Sequence, residues 1–327
     1  ISRITKDGRE QPTRQHLYES AEYAFSIGKK FMAAEICQMS ALFHDVGKLS
    51  SEFVEYLKNS YMNERLGKKH TSKGSVVHST QGAKCLYESQ ADDKDLIAAL
   101  VREVSAICIA GHHGGLMDGI TPSGETPFRE RLEKENDDLH YVEVIRAAEK
   151  ECISVNAMSD ALKRCSLDLN VAFMLHLLTK SVFSGLVDSD RYNAYCFEID
   201  KSPESSTKLP PWNGYARCLE QRISAFSADS DINKIRRDIS EKCLYAANRP
   251  KGIYRLDVPT GGGKTLSSLR FALAHANIHN AEHVIYVIPY LSVLEQTAKD
   301  IKKALQFDPT DSFILEHHSN LIVSEDP

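Results

Sequence analysis

Histidines and aspartates recur along the first two thirds of the chain where they could share metal ions. His16 stands in QPTRQHLYESA, the adjacent pair His44-Asp45 in LFHDVGKLS, and His78 in VVHSTQGA. The pair His112-His113 follows in GHHGG, and Asp188 and Asp190 in SGLVDSDRYNA. Imidazole together with carboxylate suits divalent transition metals such as Mn, Fe, Co, Ni or Zn. An adjacent His-Asp at a helix end can turn both ligands toward one pocket. Any one of these histidines alone reads as a polar helix-end side chain satisfied by hydrogen bonds. As a set, each at or near an apolar helix, they describe a metal site inside a helical bundle. Lys48, one turn beyond His44, is placed by its spacing on the same helix face.

A second string that could do chemistry lies far downstream. Val258 to Thr265 reads VPTGGGKT, between a strand pattern and a helix pattern. That is the context of a phosphate-binding Walker A loop. Thr260, Gly261, Gly262, Gly263, Lys264 and Thr265 form the expected nucleotide contact. Backbone N–H groups of Gly261 to Lys264 would cradle a phosphate, Lys264 would reach the β/γ oxygens, and Thr265 would hold Mg²⁺. Val258 departs from the small residue that usually opens this pattern. His275, His279 and His283, spaced four and four, imitate a three-histidine face, but Asn280 predicts that the helix ends before His283. They are expected to be solvated.

The elements that must position these residues follow from hydrophobic periodicity. Ile36, Met39, Phe43 and Val46 share one helix face, as do Ile97, Leu100, Val104 and Ile107, and Leu175, Leu178, Val182 and Leu186. Alternating patterns are scarce over the first 200 residues or so, so an all-α domain is expected there. Gly114 to Pro127 and the Ser/Pro-rich Lys201 to Asn213 read as loops. Beyond them a helix is predicted near Ile232 to Asn248. Strands are predicted at Ile253 to Val258 and Val284 to Ile288, alternating with helices at Leu266 to Ala276 and Ser292 to Leu305. That alternation denotes an α/β unit with parallel strands. The expected fold is therefore mainly α, a helical metal-binding domain followed by part of an α/β lobe. The expected segments are residues 1–205, a linker with connecting helices over 206–250, and the lobe over 251–327.

Composition narrows the class. The 327 residues carry 40 Lys+Arg against 45 Asp+Glu, a net charge of −5, with 42% hydrophobic residues. This suits two cores and excludes a disordered polyelectrolyte or a histone-like binder. A local basic groove for nucleic acid needs no basic total. No run reaches the roughly 18–20 apolar residues of a membrane span, and no signal-peptide core opens the chain. The start at Ile1 rather than Met suggests trimming. The eight cysteines lack two-residue spacings, so reduced thiols and a cytoplasmic location are expected.

The order His, His-Asp, His, His-His, Asp resembles the HD phosphohydrolase superfamily. HDVGK, HSTQGA and GHHGGL look like the nuclease domain of CRISPR-associated nuclease-helicases of type I systems, over about residues 10–200. The resemblance implies two divalent ions (Mn, Ni, Co, Fe or Mg). One would be held by His16, His44, Asp45 and Asp190, the other by His78, His112 and His113 with Asp45 bridging. Asp188 and Asp190 point about 200° apart on a helix, so only one faces the site. The family string matches Ser189-Asp190-Arg191, which favours Asp190. Asp45 and Lys48 are the implied catalytic pair, with Lys48 contacting the scissile phosphate or a metal-bound water. Paired ions activate water and neutralise phosphodiester charge.

VIYVIPYLSVLEQ and His317-His318-Ser319 resemble superfamily 2 helicase strings, over about residues 230–327. This implies ATP with Mg²⁺ in a complete protein. The resemblance also implies single-stranded DNA as substrate and recruitment by a crRNA-guided surveillance complex at an R-loop, with no membrane partner. Lys68, Lys69 and Lys73 could line the strand's entry. No DExD/H string follows the phosphate loop, so this chain alone is expected to lack helicase activity and to turn over little or no ATP. The rival readings are an HD phosphohydrolase of nucleotides fused to a P-loop domain, and a non-cleaving recruitment module.

Overall fold

A computed structural model describes residues 1–68, 76–89, 96–153, 172–203, 209–227, 229–307 and 313–318. Lys69, Lys73, Cys165, residues 204–208 of the expected linker and Ser319 lie outside them. The chain divides into two compact units, Ile1–Ser205 and Ser206–Pro327.

The first unit is helical around one core. Its helices are α1 (Thr13–Gly28), α2 (Ala34–Phe43), α3 (Ser51–Arg65), α4 (Thr80–Glu88), α5 (Leu96–Gly111), α6 (Pro127–Leu132), α7 (Tyr141–Lys150) and α8 (Ala172–Glu198). α2 is the central element, packed against α1, α5 and α8. Ile36, Met39, Phe43 and Val46 are all buried, as their spacing predicts. Removing each such large apolar side chain from water contributes roughly 1.5–3 kcal/mol. α5 is buried on most sides, with Val101, Val104, Cys108 and Ile109 all inside. Ile107 of the predicted stripe packs only at the edge of that core. α8 buries Val182 and Leu186, with Leu175 and Leu178 partly covered.

A two-stranded antiparallel hairpin precedes the helices. In it β1 (Arg3–Ile4) pairs with β2 (Glu10–Gln11), Arg3 opposite Gln11. Arg9 straps this hairpin to the end of α8, donating to the carbonyls of Phe197 and Glu198 at 2.9 Å each. Those carbonyls belong to the last turn of a helix and have no partner within it.

The second unit contains α9 (Trp212–Ser224), α10 (Asp231–Ala246), α11 (Lys264–His279) and α12 (Leu291–Leu305). Leu219, Leu269, Leu273, Ile301 and Leu305 form its core. Asn280, left-handed at φ 51°, ends α11 before His283. His275 and His279 are not simply solvated, for each ring bonds a backbone carbonyl, of Ala247 and Arg249 respectively, at 2.9 Å.

The strands expected at Ile253 to Val258 and Val284 to Ile288 do not form. Neither segment joins a ladder, and the sheet found among the described residues is the β1–β2 hairpin. Ile253 is 104% exposed and Val287 90%. Helical bonds are local and close within a segment, whereas a strand exists only when a partner meets it. No helix among the described residues is long and apolar enough to cross a membrane.

Candidate metal centre

The candidate ligands come from elements that meet at the C-terminal end of α2. His16 projects from the buried face of α1, beside Leu17 and Ser20. His44 caps α2, and Asp45 opens the short 3-10 turn Val46–Leu49 that holds Lys48. Lys48 is thus not on the same helix face as His44, because α2 stops at Phe43. His78 lies just before α4, His112 and His113 just after α5, and Asp190 inside α8 rather than at its end.

Two glycines seat His78. A Cβ on Gly47 would stand 2.3 Å from the carbonyl oxygen of His78, and one on Gly82 would stand 1.9 Å from that of Phe43. Real Cβ atoms do not approach below 3.0 Å. HDVGK and HSTQGA therefore need glycine for close backbone approach between the Asp45 turn and α4.

The Asp45 carboxylate is the centre, fully buried. Its Oδ2 is 3.4 Å from Nε2 of His16 and 3.2 Å from Nε2 of His44. Its Oδ1 is 3.4 Å from Nε2 of His112 and 3.8 Å from Nε2 of His78. Asp190 Oδ1 lies 3.4 Å from His16 Nε2 and 3.6 Å from His44 Nε2. His113 stands at the exposed rim, joined to His78 by a 2.8 Å contact between their Nε2 atoms. Ligand atoms of His16, His44, Asp45 and Asp190 all lie within 4.8 Å of one another, and so do those of Asp45, His112 and His113. Asp188 is exposed on the other side of α8, in a groove with Ile27 and Phe31.

Four rings are held with the same end inward. The Nδ1 of His44, His112 and His78 faces a backbone carbonyl, of Ala41 at 2.6 Å, Ile109 at 2.7 Å and Val76 at 3.0 Å. His16 Nδ1 meets Asn193 Oδ1 at 2.7 Å. Each oxygen accepts the hydrogen bond of an Nδ1–H, so a neutral ring turns its Nε2 lone pair toward Asp45, and His44 does so once it gives up its second proton.

The charges are arranged to suit cations. Burial alone would raise Asp45, but the Lys48 ammonium, 2.6 Å from Oδ2, and His44 hold it well below the usual carboxylate range. Asp190 is lowered against burial by its contact with His44. Burial would lower His44, yet Asp45 and Asp190 outweigh it and lift it to about 10. Burial lowers His16 and His78. It also takes His113 down to about 4, with His112 adding to the effect. Two carboxylates thus face the Lys48 ammonium and one imidazolium.

Three buried atoms of the cluster lack a partner of good hydrogen-bond geometry: Asp45 Oδ2, which the Lys48 ammonium faces at 2.6 Å, and the pair Asp45 Oδ1 and His112 Nε2. Buried polar atoms are rarely left so. A divalent cation between that pair would satisfy both, and the nitrogen and oxygen donor set fits such ions.

In the second unit the phosphate loop opens α11 as its pattern predicts, with Gly261 at φ 81° and Gly263 at φ 79°. Val258 is buried beneath the loop, its Cγ1 2.5 Å from where a Gly262 Cβ would stand. The Gly262 N–H, counted among the cradling amides, instead donates to the Pro259 carbonyl at 3.1 Å. Thr260, Gly261, Gly263, Lys264 and Thr265 line a cavity of about 500 Å³. Sequence reasoning missed Arg236 and Arg237 of α10, which line the same cavity, with Arg236 Nε donating to the Gly261 carbonyl at 2.8 Å. It also missed Asn193, whose signal was its place three residues after Asp190, on the same helix face.

A helical domain with a buried histidine-aspartate cluster of this order is an HD domain. The family model described as "Cas3, HD domain" matches residues 9–181, and the chain belongs to that family. Residues 221–324 match the model "Type III restriction enzyme, res subunit". The CRISPR-associated nuclease/helicase Cas3 of Haloferax volcanii is 22% identical across 96% of this chain. The chain spans 38% of the length of that relative.

Proposed function

We propose that the first unit is a metal-dependent nuclease that cuts single-stranded DNA in CRISPR interference. The observation that carries this reading is the Asp45 carboxylate ringed by inward-facing Nε2 atoms, in a chain of the Cas3 HD family. His16, His44, Asp45 and Asp190 would hold one divalent cation, and His78, His112 and His113 with Asp45 a second. Bound there, the cations would activate water and offset the charge of the phosphodiester.

The chain's own residues do the rest. Fixed Nδ1 bonds keep the rings from turning. Lys48 neutralises Asp45 in the cation-free site, and reaching a phosphate would require its ammonium to leave that carboxylate. The cluster opens at the rim formed by His113, so substrate would enter from that side. In the second unit, Lys264, Arg236 and Arg237 give the cavity the positive charge that the triphosphate of ATP with Mg²⁺ requires. In this reading the protein is cytoplasmic and is recruited by a crRNA-guided surveillance complex at an R-loop.

The test is cleavage of circular single-stranded DNA by EDTA-stripped protein resupplied with Mn²⁺, Ni²⁺, Co²⁺ or Mg²⁺, without ATP. Cleavage that needs metal and is lost in Asp45→Ala supports the reading. Hydrolysis of mononucleotides with no attack on the polymer overturns it in favour of a nucleotide phosphohydrolase.

A further inference from the structure

Three of the fixed rings lean on backbone carbonyls, which no substitution removes. His16 is the exception among the four, because its acceptor is a side chain. Asn193 Oδ1 lies 2.7 Å from His16 Nδ1 and also accepts from Gln11 Nε2 at 2.9 Å, while Asn193 Nδ2 donates to Glu19 Oε2 at 2.6 Å. Asn193 is 1% exposed and Gln11 is 0% exposed, so water does not compete for the two bonds at the Asn193 oxygen, while Glu19 is half-buried.

The chain of bonds has one polarity. A carboxylate only accepts, so Glu19 fixes the amide of Asn193 with its NH₂ outward and its oxygen toward His16. That oxygen can only accept, so the proton of a neutral His16 must sit on Nδ1. The Nε2 lone pair then points into the cluster, 3.2 Å from Nε2 of His44, which can donate to it, and 3.4 Å from both Asp45 and Asp190. With the opposite tautomer, an N–H would point into the cluster and a buried lone pair would face the Asn193 oxygen.

We propose that Asn193, held by Glu19 and Gln11, is a positioning residue that sets the tautomer and aim of His16. It thereby sets the affinity of one of the two cation positions, the one that includes His16, and leaves the other alone. This rests on the two-cation reading above. It gives α8 two jobs on one face, Asp190 as a ligand and Asn193 as the support of another ligand.

The test is Mn²⁺ binding by calorimetry to the EDTA-stripped 327-residue chain. Wild type should take up two ions. Asn193→Leu removes the acceptor at similar volume, and loss of such a support typically weakens a metal site roughly 10–100-fold. One binding step should weaken by that factor while the other keeps its wild-type affinity, an asymmetry that general damage to the fold would not produce. Asn193→Asp combined with Glu19→Gln exchanges acceptor and donor across the pair, and should restore wild-type binding.

The proposal is overturned if Asn193→Leu binds both ions as wild type does, if both steps weaken together, or if the double substitution stays as weak as Asn193→Leu. Wild type that binds no Mn²⁺ overturns the two-cation reading itself. Should Asn193→Leu not fold, long-range proton–nitrogen spectra of the metal-free wild type decide instead. A His16 proton on Nδ1 supports the proposal, and one on Nε2 refutes it.

Discussion

Replacing Gly82 by alanine tests the close approach that seats His78. Alanine in a helix normally stabilises by up to about 1 kcal/mol relative to glycine. At Gly82 the added Cβ would stand 1.9 Å from the Phe43 carbonyl oxygen, 2.9 Å from its carbon and 3.2 Å from Val46 Cγ2. Relief to 3.0 Å requires α4 to retreat by 3.0 − 1.9, or about 1.1 Å. The obstacle is backbone at the end of α2, which cannot rotate away as a side chain would. Overpacking of this kind costs roughly 1–3 kcal/mol. The rigid partner argues for the upper part of that range, a net loss of about 2 kcal/mol after the helical gain. For a unit of this size that lowers Tm by about 4–8 °C.

Gly185→Ala supplies the control. It lies in α8, facing the same core, yet its Cβ would stand 3.4 Å from Ile27 Cγ2 and 3.6 Å from Cys37 Sγ, ordinary contacts. Propensity should win there, leaving Tm unchanged or slightly raised. Because α4 begins two residues after His78, Gly82→Ala should also weaken the cation position formed with His112 and His113, and spare the one with His16. Melting by circular dichroism and Mn²⁺ titration read both effects. If Gly82→Ala melts like Gly185→Ala and binds Mn²⁺ as wild type does, the reasoning about backbone approach is wrong.

Other outcomes follow from the same geometry. In metal-free protein His44 is raised from its ordinary 6.5 to about 10, so its contribution to stability is full below pH 6.5 and is lost as pH rises through about 10. One proton more in the folded state means a slope of about −1.4 kcal/mol per pH unit across that window, measurable by urea unfolding, and His44→Gln should abolish it. Because Asp45 and Asp190 are lowered, a cation entering beside His44 at pH 7.5 should displace about one proton. Calorimetry in two buffers of different ionisation enthalpy counts it, and a count of zero refutes the charge assignment. In the second unit, Lys264→Ala should weaken binding of a fluorescent ATP analogue at least tenfold, since charged hydrogen bonds contribute about 1.5–3 kcal/mol each. Unchanged affinity would show that the cavity beside Lys264 is not where the phosphates bind.

Much of this was legible from residue types and spacing. The helix stripe through Ile36, Met39, Phe43 and Val46 is buried as its period requires. The separate strings holding His16, His44-Asp45, His78, His112-His113 and Asp190 converge within a few ångströms. What failed was the part that depends on distant partners. The apolar run Val284 to Ile288 records the strand a sequence can make, but no described segment pairs with it. Ile285 and Val287 stand 82% and 90% exposed here. The placement of Lys48 on the helix face of His44 failed for a local reason, since a one-turn spacing assumes a helix that continues, whereas α2 ends at Phe43.

The orientation of the ligands was invisible for a further reason. A histidine binds a cation through one nitrogen only when the other is given away, and here most of those acceptors are main-chain carbonyls of Ala41, Val76 and Ile109. Any residue supplies a carbonyl, so no residue type marks the position. His44 and His112 each use the carbonyl three residues earlier, at the end of an apolar helix. The helix terminus therefore does two things. It offers a carbonyl of the last turn as acceptor, that of Ile109 shared with the His112 N–H at 3.4 Å, and it stops the chain where the ring can face inward. His16 sits within α1, where its neighbours' carbonyls are already bonded along the helix, so it had to find its acceptor on another element. The sequence marks Asn193 only by its place three residues after Asp190; which ring it supports shows once α1 and α8 are brought together, and that is why substitution there should act on one cation position rather than on the whole cluster.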